Sequence, residues 1–266
     1  MTDAWLETCR AAVGDVRRVL EELPTRAERE PVVGSGEGGD DTTAIDAAVE
    51  RVVLERFDER HDDYSIVSEE IGEVVKGNGR PVVVIDPIDG SLNAKRGLPH
   101  FALCVAVADG TTMDDVHFAF VYDFGNGEEW TARRGEGAWL DGERLGAERP
   151  KERIEILSFE ATLTSAIADR AAHVVGIAHR LRIFGSLALA LCNLAAGRLD
   201  GVCSLKPARS VDIAAAQLLV REVGLAIELV DSPPFAAAPL DLGAHSRVAA
   251  AGTPALVEEL AAALRA

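Results

Sequence analysis

Apolar residues recur at helical spacing in two segments near the start of the chain. The pattern over residues 3–23 predicts an amphipathic helix that Pro24 ends, because proline cannot continue a helix. A second helix is predicted from about Thr43 to Arg60. The positions expected to be buried in these helices are Trp5, Leu6, Cys9, Val13, Val16, Leu20, Leu23, Ile45, Val49, Val52, Val53 and Phe57. Both helices are expected to back the sheet that the following segments predict.

Short apolar runs separated by glycine or aspartate turns come next, and they predict strands. In the first half of the chain these strands are 64–67, 81–86, 101–108, 116–123, 128–132 and 137–140. From about residue 154 strands alternate with helices: strands near 154–158, 181–184, 200–204, 225–230 and 247–251, and helices over 185–197, 211–223 and 254–265. The order predicts an α/β protein with a lobe at 1–150 built on an extended sheet and a smaller α/β lobe at 151–266. The two lobes are expected to act as one functional unit.

The run at residues 82–93, Val-Val-Val-Ile-Asp-Pro-Ile-Asp-Gly-Ser-Leu-Asn, carries the strongest candidate chemistry. Its aliphatic start predicts a strand covered on both faces, and Pro87 turns the chain out of that strand. Ser91 is expected to cap a helix. Asp86 and Asp89 at the end of a buried strand are costly unless a cation lies between them, and Mg²⁺ prefers such oxygen ligands. The alternative is an ordinary polar turn after a strand.

Composition and charge narrow the class of protein. No apolar stretch approaches the roughly 20 residues of a membrane span, and the N-terminus lacks a secretory signal, so a cytoplasmic protein is expected. The formal charge of −17 argues against nucleic acid or an anionic membrane as a partner. The chain is also poor in lysine, with Lys76, Lys95, Lys151 and Lys206. An acidic, lysine-poor surface favours a protein adapted to concentrated salt, which screens its self-repulsion.

Cysteines, histidines and a glycine-rich loop give little further chemistry. Cys9, Cys104, Cys192 and Cys203 are scattered in apolar patterns and are expected to be buried free thiols, and the six histidines lack the spacing of zinc ligands. The loop Gly34–Asp41 lacks the lysine and hydroxyl of a phosphate-binding loop. It is interpreted as a mobile loop beside an active site or as a plain linker.

Further acidic residues stand where predicted elements begin or end. Glu69 and Glu70 follow a short strand, Asp212 begins an apolar helix, and Asp46 lies on the first turn of the second helix. Each has an ordinary explanation as an exposed helix start, because a carboxylate near a helix N-terminus is favourable. Together with Asp86 and Asp89 they are the components of a multi-metal phosphatase, in which carboxylates from separate elements converge on cations.

These motifs resemble the three signature motifs of the inositol monophosphatase family, which are Mg²⁺-dependent, lithium-sensitive sugar and inositol phosphatases. The matching segments are Val67–Glu70, Asp86–Asn93 and Asp212–Ala215, and similarity extends over essentially the whole chain. The resemblance implies a layered α-β-α-β-α sugar-phosphatase fold, with a large, mostly antiparallel sheet lobe and a smaller α/β lobe. It also implies a homodimer.

The resemblance implies a role for each matching residue. Glu69, Asp86 and the carbonyl of Ile88 would hold one Mg²⁺, and Asp86, Asp89 and Asp212 a second. A weaker third ion near Glu69, substitution by Mn²⁺ and inhibition by Li⁺ are also implied. Gly90 and Ser91 would grip the phosphate through backbone N–H groups. Ser91 and Asp46 would orient and deprotonate the attacking water. Glu69 and Glu70 would be the other catalytic residues.

Residues in the second half resemble the archaeal branch that also hydrolyses fructose 1,6-bisphosphate. The resemblance lies in Leu181–Ser186 and Arg209–Ala215, so Arg182, Ser186, Lys206 and Arg209 are candidates for substrate binding, beside Asp89 and Asp212. Guanidinium groups bind phosphate bidentately. Surface ion pairs are the alternative for the basic residues. The chain departs from the usual family pattern at Ser91, where threonine is common, and at Ala94 and Val211, where aromatics are common.

The predicted activity is hydrolysis of a phosphate monoester by metal-activated water, with fructose 1,6-bisphosphate, inositol 1-phosphate or both as substrate. A 3′-phosphoadenosine 5′-phosphate phosphatase is an alternative, although few aromatic residues near the motifs could stack on adenine. A catalytically silent regulator that binds metal or phosphate on the same fold is another. A haloacid-dehalogenase-type phosphatase is excluded, because its paired aspartates stand two apart, whereas Asp86 and Asp89 stand three apart.

Overall fold

A computed structural model describes residues 4–36, 41–60, 63–146, 151–160, 163–232 and 234–266. Residues 37–40 of the glycine-rich loop and the predicted lobe boundary at residue 150 lie outside these ranges. The α-helices are α1 Ala4–Glu22, α2 Arg26–Arg29, α3 Ala44–Asp58, α4 Ser91–Arg96, α5 Thr164–Ala171, α6 Leu187–Ala195, α7 Ser210–Glu222 and α8 Pro254–Arg265. Short 3₁₀ helices occupy Met113–Asp115, Ala172–Val174 and Phe235–Ala237. All five predicted long helices are confirmed, with ends that differ by one or two residues.

The first half of the chain builds a small hairpin and a large sheet. The strands are β1 Val32–Ser35, β2 Asp41–Thr43, β3 Tyr64–Ser68, β4 Gly72–Lys76, β5 Val82–Asp89, β6 Ala102–Ala108, β7 Val116–Asp123, β8 Glu129–Arg133, β9 Gly137–Leu140 and β10 Glu143–Arg144. β1 pairs with β2, and the other eight strands form a sheet in the order β10-β9-β8-β7-β6-β5-β3-β4. Within that sheet β3 and β5 are parallel and the other pairs are antiparallel. The mostly antiparallel large sheet is therefore confirmed.

The second half builds a five-stranded mixed sheet. Its strands are β11 Ile154–Glu160, β12 Ala178–Arg182, β13 Gly201–Ser204, β14 Ala226–Leu229 and β15 Val248–Ala251, in the order β12-β11-β13-β15-β14. β11 is parallel to both neighbours, whereas β15 is antiparallel to both of its own. The parallel ends of β11 and β13 bring Glu160 beside Ser204. This end of the sheet faces the site described below.

Three apolar clusters show how the layers stack. α1 and α3 pack on one face of the large sheet, in an apolar cluster that includes Val16, Val49, Phe57 and Leu103. α6 and α7 fill the space between the large sheet and the small one, and α8 covers the outer face of the small sheet. The side chains between the sheets are mostly alanine, valine and leucine, which lets the layers approach closely. The predicted α-β-α-β-α layering is confirmed.

Several local predictions differ from the structure. Ser91 is the first residue of α4 and Gly90 is its N-cap, with φ of 89°. β12 begins at Ala178, three residues before its predicted start, and β1, β2, β4 and α5 were not predicted. The four cysteines are buried free thiols, as predicted. Among the described ranges, no helix is long and apolar enough to cross a membrane.

Candidate active site

A cleft of about 380 Å³ opens where β5, α4, α7 and the segment before α6 meet. Its lining residues are Glu69, Asp86, Ile88, Asp89, Gly90, Ser91, Leu92, Glu160, Gly185, Ser186, Leu187, Ser204, Lys206, Pro207, Ala208, Arg209, Asp212 and His245. The acidic members come from both halves of the chain. The cleft therefore exists only because the two sheets and the helices between them are stacked.

Asp86 and Asp89 lie on the last four residues of β5, every residue of which is buried. The pairing of β5 with β6 is irregular between Asp86 and Asp89, where Pro87 interrupts the ladder. The backbone N–H of Ile88 donates to Asp86 Oδ1 over 3.0 Å. Burial raises the pKa of Asp86 well above its usual range, and repulsion from Glu69 and Asp89 raises it further. The charged form of Asp86 is therefore energetically unfavourable unless a cation lies nearby.

Asp89 is held by the other half of the molecule. Ser186 Oγ donates to its Oδ2, and the backbone N–H of Ala188 donates to the same oxygen over 2.9 Å. Ser186 is the N-cap of α6, so the anchor of Asp89 is the first turn of a helix. Burial raises the pKa of Asp89 to about 7 against the effect of the Ser186 hydrogen bond, and the charge of Asp212 adds to the rise.

Gly90 and Ser91 form the tight turn that follows Asp89. A Cβ on Gly90 would lie 2.8 Å from the carbonyl oxygen of His100, and the positive φ of Gly90 also disfavours other residues. Ser91 Oγ donates to the carbonyl of Ile88 over 3.0 Å. A carbonyl oxygen has two lone pairs, so this bond leaves Ile88 able to accept a second partner.

Arg209 is the cation that contacts two of the cleft carboxylates. Its guanidinium bonds Glu69 Oε1 and lies 3.6 Å from Asp212 Oδ1, while its backbone N–H donates to Asp212 Oδ2 over 2.6 Å. Burial opposes the charge of Arg209, but Asp212 and Glu69 outweigh burial and raise the pKa of Arg209. Burial raises the pKa of Glu69 to about 7, with Arg209 acting against the rise. The guanidinium therefore partly compensates an acidic group that burial penalises.

Asp46 and Glu70 lie next to the cleft and do not line it. Asp46 Oδ2 accepts from the backbone N–H of Thr43 over 3.1 Å and lies 3.4 Å from Lys95 Nζ. Asp46 Oδ1 is buried and accepts no hydrogen bond from the described residues. Glu70 Oε2 accepts from Thr42 Oγ1, and burial raises the pKa of Glu70. Lys95, which sequence reasoning did not single out, is the cation of this neighbouring cluster.

The structure brings most of the predicted site residues together. Those that line the cleft are Glu69, Asp86, Ile88, Asp89, Gly90, Ser91, Ser186, Lys206, Arg209 and Asp212. Arg182 is not among the lining residues; it is exposed on the edge strand β12, where its guanidinium donates to the Leu181 carbonyl over 2.8 Å. The predicted roles of all these residues stay predictions, because the positions of the side chains do not show which chemical step each one performs.

Glu160 is the charged cleft residue that sequence reasoning missed. It is the last residue of β11 and burial raises its pKa, although hydrogen bonds from Ser158 and from the backbone N–H groups of Phe184 and Gly185 act against the rise. A weaker signal was present in the sequence: an acidic residue follows Ile154–Phe159, in which four of six residues are apolar, as Asp86 follows its own apolar run. His245 and Ser204 also line the cleft and carried no comparable signal.

The donor set suits a hard divalent cation. The cleft supplies carboxylate and carbonyl oxygens, and the neighbouring Asp46 Oδ1 is a buried oxygen that lacks a described donor. Within the described ranges, no three His, Cys, Asp or Glu side chains are already grouped tightly enough to hold an ion. Arg209 contacts Glu69 and Asp212, so those two carboxylates are engaged by a guanidinium. The oxygen ligands of these residues suit a divalent metal ion, and Arg209 would compete with such an ion for Glu69 and Asp212.

Comparisons with known proteins cover the whole of this site. A sequence profile described as the inositol monophosphatase family matches residues 4–266. The fructose-1,6-bisphosphatase/inositol-1-monophosphatase of Archaeoglobus fulgidus is 33% identical over 222 residues, which cover 82% of this chain and 81% of that protein. The Nus factor SuhB of Pasteurella multocida is 35% identical over 201 residues, or 70% of each chain. The crystal structure of the MJ0109 gene product, an inositol monophosphatase–fructose 1,6-bisphosphatase, superposes with a TM-score of 0.85 at 25% identity, covering 98% of this chain and 100% of that one.

Proposed function

The chain belongs to the inositol monophosphatase family, and from that membership we propose that its acidic cleft hydrolyses fructose 1,6-bisphosphate and inositol 1-phosphate in a Mg²⁺-dependent reaction. As a member of this family it is a phosphatase of small phosphorylated substrates. The relatives named for both activities support the two substrates. Fructose 1,6-bisphosphate is proposed as the preferred one.

The observation that carries the proposal is the convergence of four acidic side chains on one cleft. Glu69 follows β3, Asp86 and Asp89 end β5, and Asp212 lies in the first turn of α7. A chain of net charge −17 would repel a phosphate dianion from such a cleft unless cations reversed the local field. Buried carboxylates with raised pKa values are common at functional sites, because folding alone gains nothing from them.

Glu69, Asp86, Asp89, Asp212 and the carbonyl of Ile88 are the residues that would hold Mg²⁺. When bound, such ions polarise the phosphate and lower the pKa of a water molecule. The anchor from Ser186 and Ala188 to Asp89 Oδ2 keeps that carboxylate oriented towards the cleft before any ligand arrives. The cleft is thus organised by the protein's own hydrogen bonds.

Three residues are proposed to act on the phosphate and on the attacking water. The N–H groups of Gly90 and Ser91 would bind phosphate oxygens, since this tight turn places no side chain at Gly90. The Ser91 hydroxyl, which bonds the Ile88 carbonyl, would orient the water. Asp46 Oδ1 is the proposed proton acceptor, because it is buried and has no described donor of its own.

Two basic residues support the preference for a bisphosphate. Lys206 and Arg209 both line the cleft and lie on the chain between β13 and α7, beyond the carboxylates of β5. A second phosphate on the substrate would meet these groups, whereas a monophosphate would use the metal side of the cleft alone. The predicted contact of Arg182 with substrate receives no support from its exposed position on β12.

Phosphate release from fructose 1,6-bisphosphate and inositol 1-phosphate, measured side by side in Mg²⁺ from dilute to molar KCl, tests the proposal. Faster turnover of the bisphosphate is expected, with no turnover after chelation of the metal. A preference for the inositol ester would refute the substrate order. Release from 3′-phosphoadenosine 5′-phosphate alone would favour the nucleotide phosphatase, and silence on all three esters would favour a non-catalytic regulator.

Two lysines, one inside the cleft and one outside it, allow a controlled test of the second-phosphate contact. Lys206→Met should raise KM for the bisphosphate more than KM for the monophosphate, because a charged phosphate contact contributes about 1.5–3 kcal/mol. Lys151→Met removes a lysine that lies 3.3 Å from Asp200, outside the cleft, and should leave both KM values unchanged. Equal changes for both substrates in Lys206→Met would contradict the second-phosphate contact.

A further inference from the structure

Glu160 is a buried carboxylate that binds the segment Phe184–Ser186. It is only 6% exposed. Its Oε1 accepts from Ser158 Oγ over 2.6 Å and from the backbone N–H of Phe184 over 3.2 Å, and its Oε2 accepts from the backbone N–H of Gly185 over 2.8 Å. Two oxygens thus serve three donors, two of which belong to one turn of the chain. The carboxylate fixes where that turn lies relative to β11.

The same segment is joined to the first half of the molecule on its other side. Asn93 Nδ2 donates to the Phe184 carbonyl and to the His100 carbonyl, both over 2.7 Å. A Cβ on Gly90 would lie 3.2 Å from the Gly185 carbonyl oxygen, so α4 and this segment pack in direct contact. Ser186, the next residue, donates its hydroxyl to Asp89. Glu160 and Asp89 are therefore connected through one short, tightly packed segment.

We propose that Glu160 is a positioning residue for Asp89: its carboxylate holds Phe184 and Gly185 so that the Ser186 hydroxyl orients Asp89 in the cleft. The inference rests on the proposed function, in which Asp89 is a metal ligand. Residues that orient a ligand through hydrogen bonds typically change metal affinity 10- to 100-fold when they are replaced. Glu160 acts one step further away, through Ser186, so the lower end of that range is expected.

The chemistry of the site requires a carboxylate and not an amide. A glutamine at position 160 would present one carbonyl oxygen and one NH₂ group to three donors. In either orientation the NH₂ group would face a backbone N–H, of Phe184 or of Gly185, and that buried donor without an acceptor carries a desolvation cost. Glu160→Gln keeps the volume of the side chain, so its effect reports the lost acceptor rather than a cavity.

Isothermal calorimetry with Mg²⁺ on the full chain, without substrate, is the first measurement. Glu160→Gln should weaken Mg²⁺ binding about tenfold. In steady-state assays Glu160→Gln should lower kcat and change KM less, since the proposed contacts of the substrate phosphate with Gly90 and Ser91 are retained. A wild-type chain that binds Mg²⁺ but releases no phosphate would refute the proposed function alone, whereas unchanged Mg²⁺ affinity in Glu160→Gln would refute the positioning role alone.

A double-mutant cycle separates positioning through Ser186 from a direct role of Glu160. Ser186→Ala removes the hydroxyl that donates to Asp89, and it should also weaken Mg²⁺ binding at least tenfold. If Glu160 acts through Ser186, the double variant should lose little more than Ser186→Ala alone. Losses that multiply in the double variant would overturn the proposal, because they would show that Glu160 acts by another route.

Asp200, just before β13, offers a control carboxylate that binds the other end of β11. Its Oδ2 accepts from the backbone N–H groups of Glu155 and Ile156, each over 2.9 Å, at the end of β11 away from the cleft. Asp200→Asn removes a carboxylate charge and keeps the one oxygen that both N–H groups reach, so Mg²⁺ affinity and the kcat-to-KM pattern should stay unchanged. If Glu160→Gln does not fold, Ser158→Ala removes one donor to Oε1 and should weaken Mg²⁺ binding in the same direction by a smaller factor. No change of Mg²⁺ affinity in Ser158→Ala would then count against the proposal.

Discussion

Replacing Arg209 by methionine should destabilise the metal-free protein strongly and the Mg²⁺-loaded protein much less. Methionine keeps much of the length of the side chain and removes its charge. In the metal-free protein the guanidinium contacts Glu69 and Asp212, and its loss leaves both carboxylates without that partner. Mg²⁺ would supply the missing positive charge at the same oxygens. The difference between the two conditions is therefore the quantity to measure.

The size of the effect follows from burial. The Arg209 side chain is 10% exposed, and the side chains of Glu69 and Asp212 are 18% and 20% exposed. Breaking a buried ion pair by removing one partner costs about 3–5 kcal/mol, and the residual exposure of the carboxylates favours the lower end. For a chain of this length about 3 kcal/mol lowers the melting temperature by roughly 6–12 °C.

Thermal unfolding in EDTA and across a Mg²⁺ titration gives both numbers in one experiment. Because the guanidinium no longer competes for Glu69 and Asp212, the variant should also reach half of its Mg²⁺-dependent stabilisation at a lower concentration than the wild type. Arg221→Met is the matched control, since Arg221 lies on the same helix and forms a largely exposed pair with Asp114. That pair should contribute less than about 1 kcal/mol under either condition. An equal loss of stability in EDTA and in Mg²⁺, or weaker Mg²⁺ binding by the variant, would refute the competition between Arg209 and the metal.

Three other changes test separate parts of the reasoning. Asp89→Asn should abolish turnover while circular dichroism stays unchanged, because asparagine can still accept the bonds from Ser186 and Ala188; turnover close to the wild-type rate would contradict a metal-ligand role. The free energy of unfolding, measured by chemical denaturation, should decrease less with rising pH in Glu50→Gln than in the wild type. Burial raises the pKa of Glu50 in the folded protein. The contribution of Glu50 to the free energy of unfolding is therefore full at a pH below its unfolded pKa near 4.5. This contribution falls by about 1.4 kcal/mol per pH unit as pH rises from the unfolded to the folded pKa, and is then lost. All three described donors to Glu50 reach Oε1, which glutamine retains, so a strongly destabilised variant at pH 7 would count against this account. Raising KCl from 0.1 to 2 M should raise the melting temperature, because salt screens the repulsion within a chain of charge −17, and a flat response would remove the support for salt adaptation.

The sequence predicted the elements that bury a continuous apolar face and missed those that do not. α1, α3 and β5 to β8 carry strong periodic patterns because one or both of their faces are covered. α5 has no fully buried residue and packs on the core through the partly buried Ala166 and Ile167, so its apolar pattern is too short to predict a helix. β4 and β12 are edge strands with alternating or exposed polar residues, and such strands are stabilised by pairing with a neighbour rather than by their own composition.

The N-cap of α4 was misassigned for a related reason. Serine is the better cap on intrinsic grounds, but the turn after Asp89 requires a positive φ and a close approach to the His100 carbonyl. Only the residue without a Cβ satisfies both, so Gly90 takes the cap position and Ser91 starts the helix. Tertiary contact therefore overrode local propensity at the point where the cleft is built.

Four of the five acidic residues in the cleft could be predicted, because each ends or begins a recognisable element; Glu160 was missed. Lys206 and Arg209 were predicted as substrate-binding candidates, but the contact between Arg209 and Glu69 could not be, because the two residues stand 140 positions apart and only the packing of the two halves brings them together. Arg209 contacts both Glu69 and Asp212 through Nη2, so this nitrogen is not available to a substrate phosphate while both contacts persist. Phosphate binding through Nη2 therefore requires that another cation first take over the two carboxylates. The proposed metal centre and the proposed phosphate contact of Arg209 are thus linked, and an Arg209 variant that lost the preference for the bisphosphate without any change in Mg²⁺ affinity would contradict that link.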